Sequence, residues 1–184
     1  MSNLTKLALA KSLKTQMETT PLSKITVNDI VNDCGLNRRT LYYHFHDIYD
    51  LLEWIYKTEI NDVIHNNKTI KTWQKGFLDI FLYLNENKKV VLNTYHSIGR
   101  DTLENHLYNE LYDAIIQVVE ESSINLNVSE SEKKYVANFY KIAFVGILIE
   151  WIKHDMKENP EKIIMNLNKI ISGDIRRALE KFSK

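Results

Sequence analysis

The sequence predicts an all-α protein, and three observations carry that prediction. Five glycines and two prolines among 184 residues leave few helix breakers. Apolar residues recur at helical spacing through most of the chain, while strand-like alternation is nowhere sustained. Residues Thr26 to Phe45, reading TVNDIVNDCGLNRRTLYYHF, spell two short helices around a glycine. That is the pattern of a helix-turn-helix. The expected architecture is an N-terminal three-helix domain built on this motif, followed by a larger helical domain.

A first helix is expected over Leu4 to Glu18, burying Leu4, Leu7, Leu13 and Met17, and ending before Thr20-Pro21 because proline disfavours helix in the residue before it. Thr26 is placed to cap a second helix, Val27 to Asp33, with Asp29 completing a capping-box variant and Val27, Ile30 and Val31 as its apolar positions. Gly35 supplies the positive-φ stop of a tight turn, and Asn37 caps a third helix from Arg38 to Phe45. Leu41 and Phe45 form its buried stripe. Its remaining face offers Arg38, Arg39, Tyr42, Tyr43 and His44, side chains that donate to phosphates or reach base edges.

A fourth helix is expected from about Ile48, capped by Asp47 and carrying Leu51, Leu52, Ile55, Tyr56 and Ile60 into the second domain. This gives a DNA-binding domain over residues 1–49 and a helical domain over 50–184, with the polar run His65-Asn66-Asn67-Lys68 as the break. Amphipathic segments follow over Ile70 to Leu84, Lys88 to Tyr95 and Thr102 to Glu121. Beyond a polar link from Ser122 to Ser131, Glu132 to Met156 is apolar around most of its girth, which predicts a buried helix. A terminal helix starts with Asn159 as cap and Pro160 at its first position, aligns Ile163, Leu167, Ile170, Ile171, Ile175, Leu179 and Phe182, and bends at Gly173.

Zero formal net charge and a pI near 7.0 argue against a protein that coats nucleic acid through bulk charge. The charge is unevenly spread. Residues 1–46 hold six bases (Lys6, Lys11, Lys14, Lys24, Arg38, Arg39) against three acids (Glu18, Asp29, Asp33), enough for a local basic face. The single cysteine, Cys34, excludes an intrachain disulfide and no basic-plus-apolar leader precedes the first helix, so a cytoplasmic setting is expected. The longest apolar run, Ile142 to Ile149, is short of the about 20 residues a bilayer needs.

The motif and its flanks resemble the TetR-type transcriptional regulators. The resemblance rests on Leu41-Tyr42-Tyr43-His44-Phe45, with Ile25-Thr26-Val27 upstream and Asp50-Leu51-Leu52 downstream, and it is strong across Leu4 to Ile64. It implies a homodimer formed through the last two helices, presenting two recognition helices to a palindromic double-stranded DNA operator at major grooves about 34 Å apart. The same apolar surfaces would otherwise complete the core of one subunit. The residues expected to meet DNA are Thr26, Asn28, Asn37, Arg38, Arg39, Thr40, Tyr42, Tyr43, His44 and His46. The family usually carries a lysine at the start of the fourth helix, where this chain has Ile48; His46, or the backbone amides there, remain for that phosphate.

Ligand sensing is a further implication of the resemblance, and Trp73, Phe77, Tyr95, His96, Tyr112 and Tyr140 are the residues expected around a small-molecule effector. Phe45 to Leu52, with Gly146 to Trp151 and Asn159-Pro160-Glu161, is similar to the branch that holds dihydroxyacetone-kinase operon activators, which implies a kinase-like co-activator protein in place of a ligand. Activator and repressor both stay open. His44 and His46 splay to different faces of a helix and lack a third ligand, so no metal is expected, and Cys34 reads as a packed small hydrophobe. No glycine-rich phosphate loop, nucleophile elbow or zinc-protease motif is present, so neither an enzyme nor a cofactor is expected. The competing reading is a helical protein-protein adaptor that keeps the fold without autonomous DNA binding.

Overall fold

A computed structural model of the chain describes residues 2–64, 69, 71–97 and 100–183. Among them every regular element is helical: α1 (Ser2–Met17), a 3₁₀ turn (Leu22–Lys24), α2 (Val27–Asp33), α3 (Arg38–His44), α4 (Ile48–Ile64), α5 (Trp73–Glu86), α6 (Lys88–Tyr95), α7 (Arg100–Ser122), α8 (Glu130–Lys153), α9 (Pro160–Ile171) and α10 (Asp174–Glu180). The expected break at His65 to Lys68, and the expected start of a helix at Ile70, lie outside the described residues.

The chain divides into two compact units, residues 1–59 with 87–106 and residues 60–86 with 107–184. In the first, α1 packs on α2 and on α6. Its buried stripe is Leu9, Ala10, Leu13 and Met17, not the expected series from Leu4, because Leu4 is 75% and Leu7 48% exposed. At 100° per residue those two fall on the side of α1 opposite Leu9 and Leu13. The side chain of Asn93 in α6 closes this unit. Its Nδ2 donates to the Met17 and Thr20 carbonyls at 2.8 and 2.7 Å, and its Oδ1 accepts from the Leu22 amide at 2.9 Å. Next to it, the buried Tyr56 hydroxyl and Thr94 Oγ1 share a 2.7 Å hydrogen bond.

In the second unit α5 packs on α9, and α10 packs on both α8 and α9. Ser129 and Glu132 form a capping box at the start of α8, and Asn159 with Pro160 opens α9. Gly173, at φ 77°, does more than bend the terminal helix: it divides the helix into α9 and α10. Ile170 is 69% and Phe182 36% exposed, so neither joins the buried side made by Ile163, Leu167, Ile171, Ile175 and Leu179. Arg176 Nη1 donates to the carbonyl of Ser122, the last residue of α7, and to that of Ile124 just past it, a charge-assisted cap on the helix end.

The helix expected to be buried, α8, is buried on one side only within this chain. One face, including Val136, Tyr140, Phe144, Val145, Leu148 and Trp151, is buried, while Tyr135, Phe139 and Ile142 lie exposed on the other. By length and composition this 24-residue helix is apolar enough to cross a bilayer, which the short run Ile142 to Ile149 did not suggest. Its inner face is instead packed within the unit.

Two outcomes are expected. Asn93→Ala leaves three backbone groups without their side-chain partner and should lower stability by about 1–3 kcal/mol in denaturant melts; a loss within error would remove Asn93 from its structural role. Burial, the largest influence, holds His106 below the usual histidine range, opposed by its hydrogen bond to the Tyr56 backbone and aided by Lys57. The unfolded chain therefore takes up this proton first, and stability from this group is lost as pH falls below about 6.5 toward the lower folded value. Thermal melts between pH 7.5 and 5 should show a smaller decline in His106→Gln than in the unsubstituted protein.

Candidate nucleic-acid interface

The motif is held at both helix starts by side-chain caps. Thr26 Oγ1 accepts from the Asp29 amide at 3.3 Å, and the Asp29 carboxylate accepts in return from the Thr26 amide at 2.8 Å and from its hydroxyl at 2.6 Å. Those bonds hold the Asp29 carboxyl below its ordinary range. The turn is closed by Gly35 at φ 64° and by the Leu36 amide donating to the Val31 carbonyl at 2.8 Å. Asn37 Oδ1 then accepts from the Thr40 amide and hydroxyl at 2.9 and 3.1 Å. Beneath, Ile30, Val31, Leu41 and Phe45 are buried. The Ser12 hydroxyl donates to the Ile30 carbonyl, and the Cys34 thiol, its pKa raised chiefly by burial, donates to the Ala8 carbonyl.

This scaffold leaves one face of α3 to solvent. Arg38 and Arg39 are exposed, as are Tyr42 at 49% and Tyr43 at 82%. The Arg38 guanidinium lies 6.0 Å from the Tyr42 ring centroid, one turn along the helix. Tyr43 and His44 meet edge to face at 4.9 Å. Asn28, Asn37 and His46 are exposed on the same unit, with Thr40 and His44 half-buried. Thr26, Thr40 and the Asn37 carbonyl oxygen are already engaged in caps, so they hold the helices in place before they can meet anything else.

Two of the amides around the start of α4 are similarly occupied. Asp50 accepts from the His46 amide at 2.7 Å, and Asp47 accepts from the Asp50 amide at 2.8 Å. An incoming phosphate would meet two carboxylates there. No group of three His, Cys, Asp or Glu among the described residues could hold a metal ion.

Of the six residues expected around an effector, Trp73 and Phe77 line a cavity of about 40 Å³ in the second unit. Its other walls are apolar, among them Leu111, Ile115, Phe144, Ile171 and Ile175. Phe144 meets Trp73 and Phe77 edge to face at 5.7 and 4.4 Å. Tyr112 belongs instead to an open polar cleft with Tyr108, Asn138 and Lys141, the Lys141 ammonium sitting 5.3 Å from the Tyr112 centroid. Tyr140 is buried, which pushes its phenol up, while Tyr95 and His96 belong to the first unit. The aliphatic walls escaped a reading that sought aromatic residues, because their sequence signal is that of any core.

Residues 71–173 match the TetR-type family described as "Transcriptional regulator C-terminal region". The chain is 26% identical over 157 residues to the HTH-type dhaKLM operon transcriptional activator DhaS of Lactococcus lactis subsp. lactis (strain IL1403), covering 82% of this chain and 81% of the relative. Among solved structures, the dihydroxyacetone kinase operon activator DhaS superposes with a TM-score of 0.73 at 22% identity over 99% of both chains. NalD, the secondary repressor of the MexAB-OprM multidrug efflux pump in Pseudomonas aeruginosa, gives 0.62 at 12% identity over 97% of this chain and 98% of its own. These likenesses show a shared helical fold. The family match covers more than half of the sequence, and the chain belongs to the TetR family of transcriptional regulators.

Proposed function

We propose that the protein is a homodimeric, sequence-specific DNA-binding regulator acting in the cytoplasm on a palindromic operator. The observation that carries this reading is the exposed face of α3, where two arginines and two tyrosines stand free above a buried stripe and between two capped helix ends. Arg38 and Arg39 are the residues for bidentate contact with guanine or phosphate. Asn28, Thr40, Tyr42, Tyr43, His44 and His46 set register through the backbone, and Thr26 and Asn37 act through the caps that hold the motif. Residues 1–49 carry DNA binding and 50–184 carry regulation and dimerisation, with α4 joining them.

The exposed stripe of α8, Tyr135, Phe139 and Ile142, supports dimerisation, as do Met165 and Ile170 on α9, at 52% and 69% exposure. Gly146 lies on the exposed face of α8, and a Cβ there would meet nothing within 4 Å. A second copy can therefore approach that helix closely. Control comes from a co-regulator protein in preference to a small-molecule effector. The apolar cavity at Trp73 and Phe77, about 40 Å³, is far below the roughly 300–1,000 Å³ of a small-molecule site, and the larger hollow at Tyr112 is an open cleft on the surface. Similarity to an operon activator favours activation, and binding of the co-regulator would then shift the operator affinity of the dimer.

Selection of duplexes from a random library should recover a two-fold-symmetric site. Arg38→Ala should weaken binding to it by about 1–3 kcal/mol, with relaxed preference at one base. Equal and weak binding by both proteins would identify an adaptor instead. Phe139→Asp should convert the dimer to monomer in sedimentation and abolish the two-fold site; a dimer that survives this substitution and a second one, Ile170→Asp, would place the interface elsewhere.

A further inference from the structure

The junction between α3 and α4 is short of positive charge. Asp47 and Asp50 are both exposed there, with the apolar Ile48 between them. Two backbone amides that could receive a phosphate are taken by those carboxylates. If a DNA backbone passes this end of the recognition helix, its counter-charge has to come from another element of the unit.

Lys6, in the second turn of α1, is placed to supply it. Its Nζ lies 5.3 Å from the centroid of Phe45 and 5.6 Å from that of Trp54. Phe45 is the C-cap of α3, Trp54 lies in α4, and the two rings are 5.8 Å apart. The electron-rich ring faces hold the ammonium beside the α3–α4 junction. A lysine restrained in this way has less rotamer freedom to lose on binding than a free one. No carboxylate among the described residues comes within ion-pair distance of it. Lys14 on the same helix is different, since its Nζ is tied to Glu59 at 2.7 Å. Rings attract the ammonium without accepting its protons as a carboxylate would, so Lys6 keeps donors for a phosphate oxygen.

We propose that Lys6 is a phosphate-binding residue of the first unit, whose ammonium donates to a backbone phosphate beside the base pairs read by α3 and so supplies the positive charge that the α3–α4 junction, with its two carboxylates, does not. The proposal rests on the DNA-binding reading above. Because the contact is to the sugar-phosphate backbone, it fixes affinity and register and carries no base preference.

The test uses the full-length protein and the duplex selected above, with binding measured across a salt series. Lys6→Met keeps the apolar stem and removes the charge, and Lys6→Gln provides a second uncharged variant should the first not fold. Either should make the slope of log affinity against log salt shallower by about 0.9, as expected when one phosphate fewer is neutralised, while the selected consensus stays the same. Lys6→Arg should restore the slope. A slope unchanged in the uncharged variants, or an altered one that arginine does not restore, overturns the role of Lys6 while leaving DNA binding intact. Failure of the unsubstituted protein to enrich any duplex overturns the DNA-binding reading and the role of Lys6 with it.

Discussion

The geometry of the first unit depends on one amide side chain. Asn93 satisfies the Met17 and Thr20 carbonyls and the Leu22 amide together, three backbone groups at the point where α1 ends and the chain turns toward α2. The carbonyls at a helix end lack intrahelical donors, and the turn that follows contains Pro21, which has no amide to offer. A side chain with two donors and an acceptor in one plane meets that need, where a carboxylate of the same size would set negative charge against two carbonyls. Through this contact α6, distant in sequence, becomes part of the body that carries the helix-turn-helix.

That body matters because α2 and α3 are seven residues each. Isolated helices of such length are marginal in water. They persist here because their starts are capped by Thr26 and Asn37, their apolar positions are buried, and Ser12 and Cys34 tie the pair to α1. The support comes from beneath and from the ends, so the outer face of α3 is free of structural duty.

The second unit handles apolar surface differently. Its interior is closed almost to close packing around Trp73, Phe77 and Phe144, leaving a small apolar cavity, while Tyr135, Phe139, Ile142 and Ile170 stay outside. A helix apolar on both sides has two claims on it, one from its own subunit and one from whatever covers the other face. Small residues at Ala143 and Gly146 keep that outer face low.

Much of this was legible in the sequence. Helix caps are local, so Thr26 with Asp29, Asn37, Asp47, Asn159 with Pro160 and the glycine turn at Gly35 were readable from neighbouring residues alone, as was the exposed recognition face. The errors lay where apolar residues outnumber the positions that one subunit buries: Leu4, Leu7, Ile170 and Phe182 carry the composition of a core but lie outside it. Periodicity identifies a stripe and cannot say which of two stripes faces inward, because that depends on helices brought together from far along the chain. The same holds for Asn93 and Lys6, ordinary residues in an amphipathic pattern whose partners lie 71 or more residues away in one case, across the α1–α2 junction, and on α3 and α4 in the other. Local sequence dictates the helices, most of their caps and the chemistry of the exposed α3 face, since these are set by neighbours within about a turn. Tertiary structure alone decided which apolar faces are buried and which distant side chains meet the recognition unit, since those contacts exist only once the chain has folded back on itself.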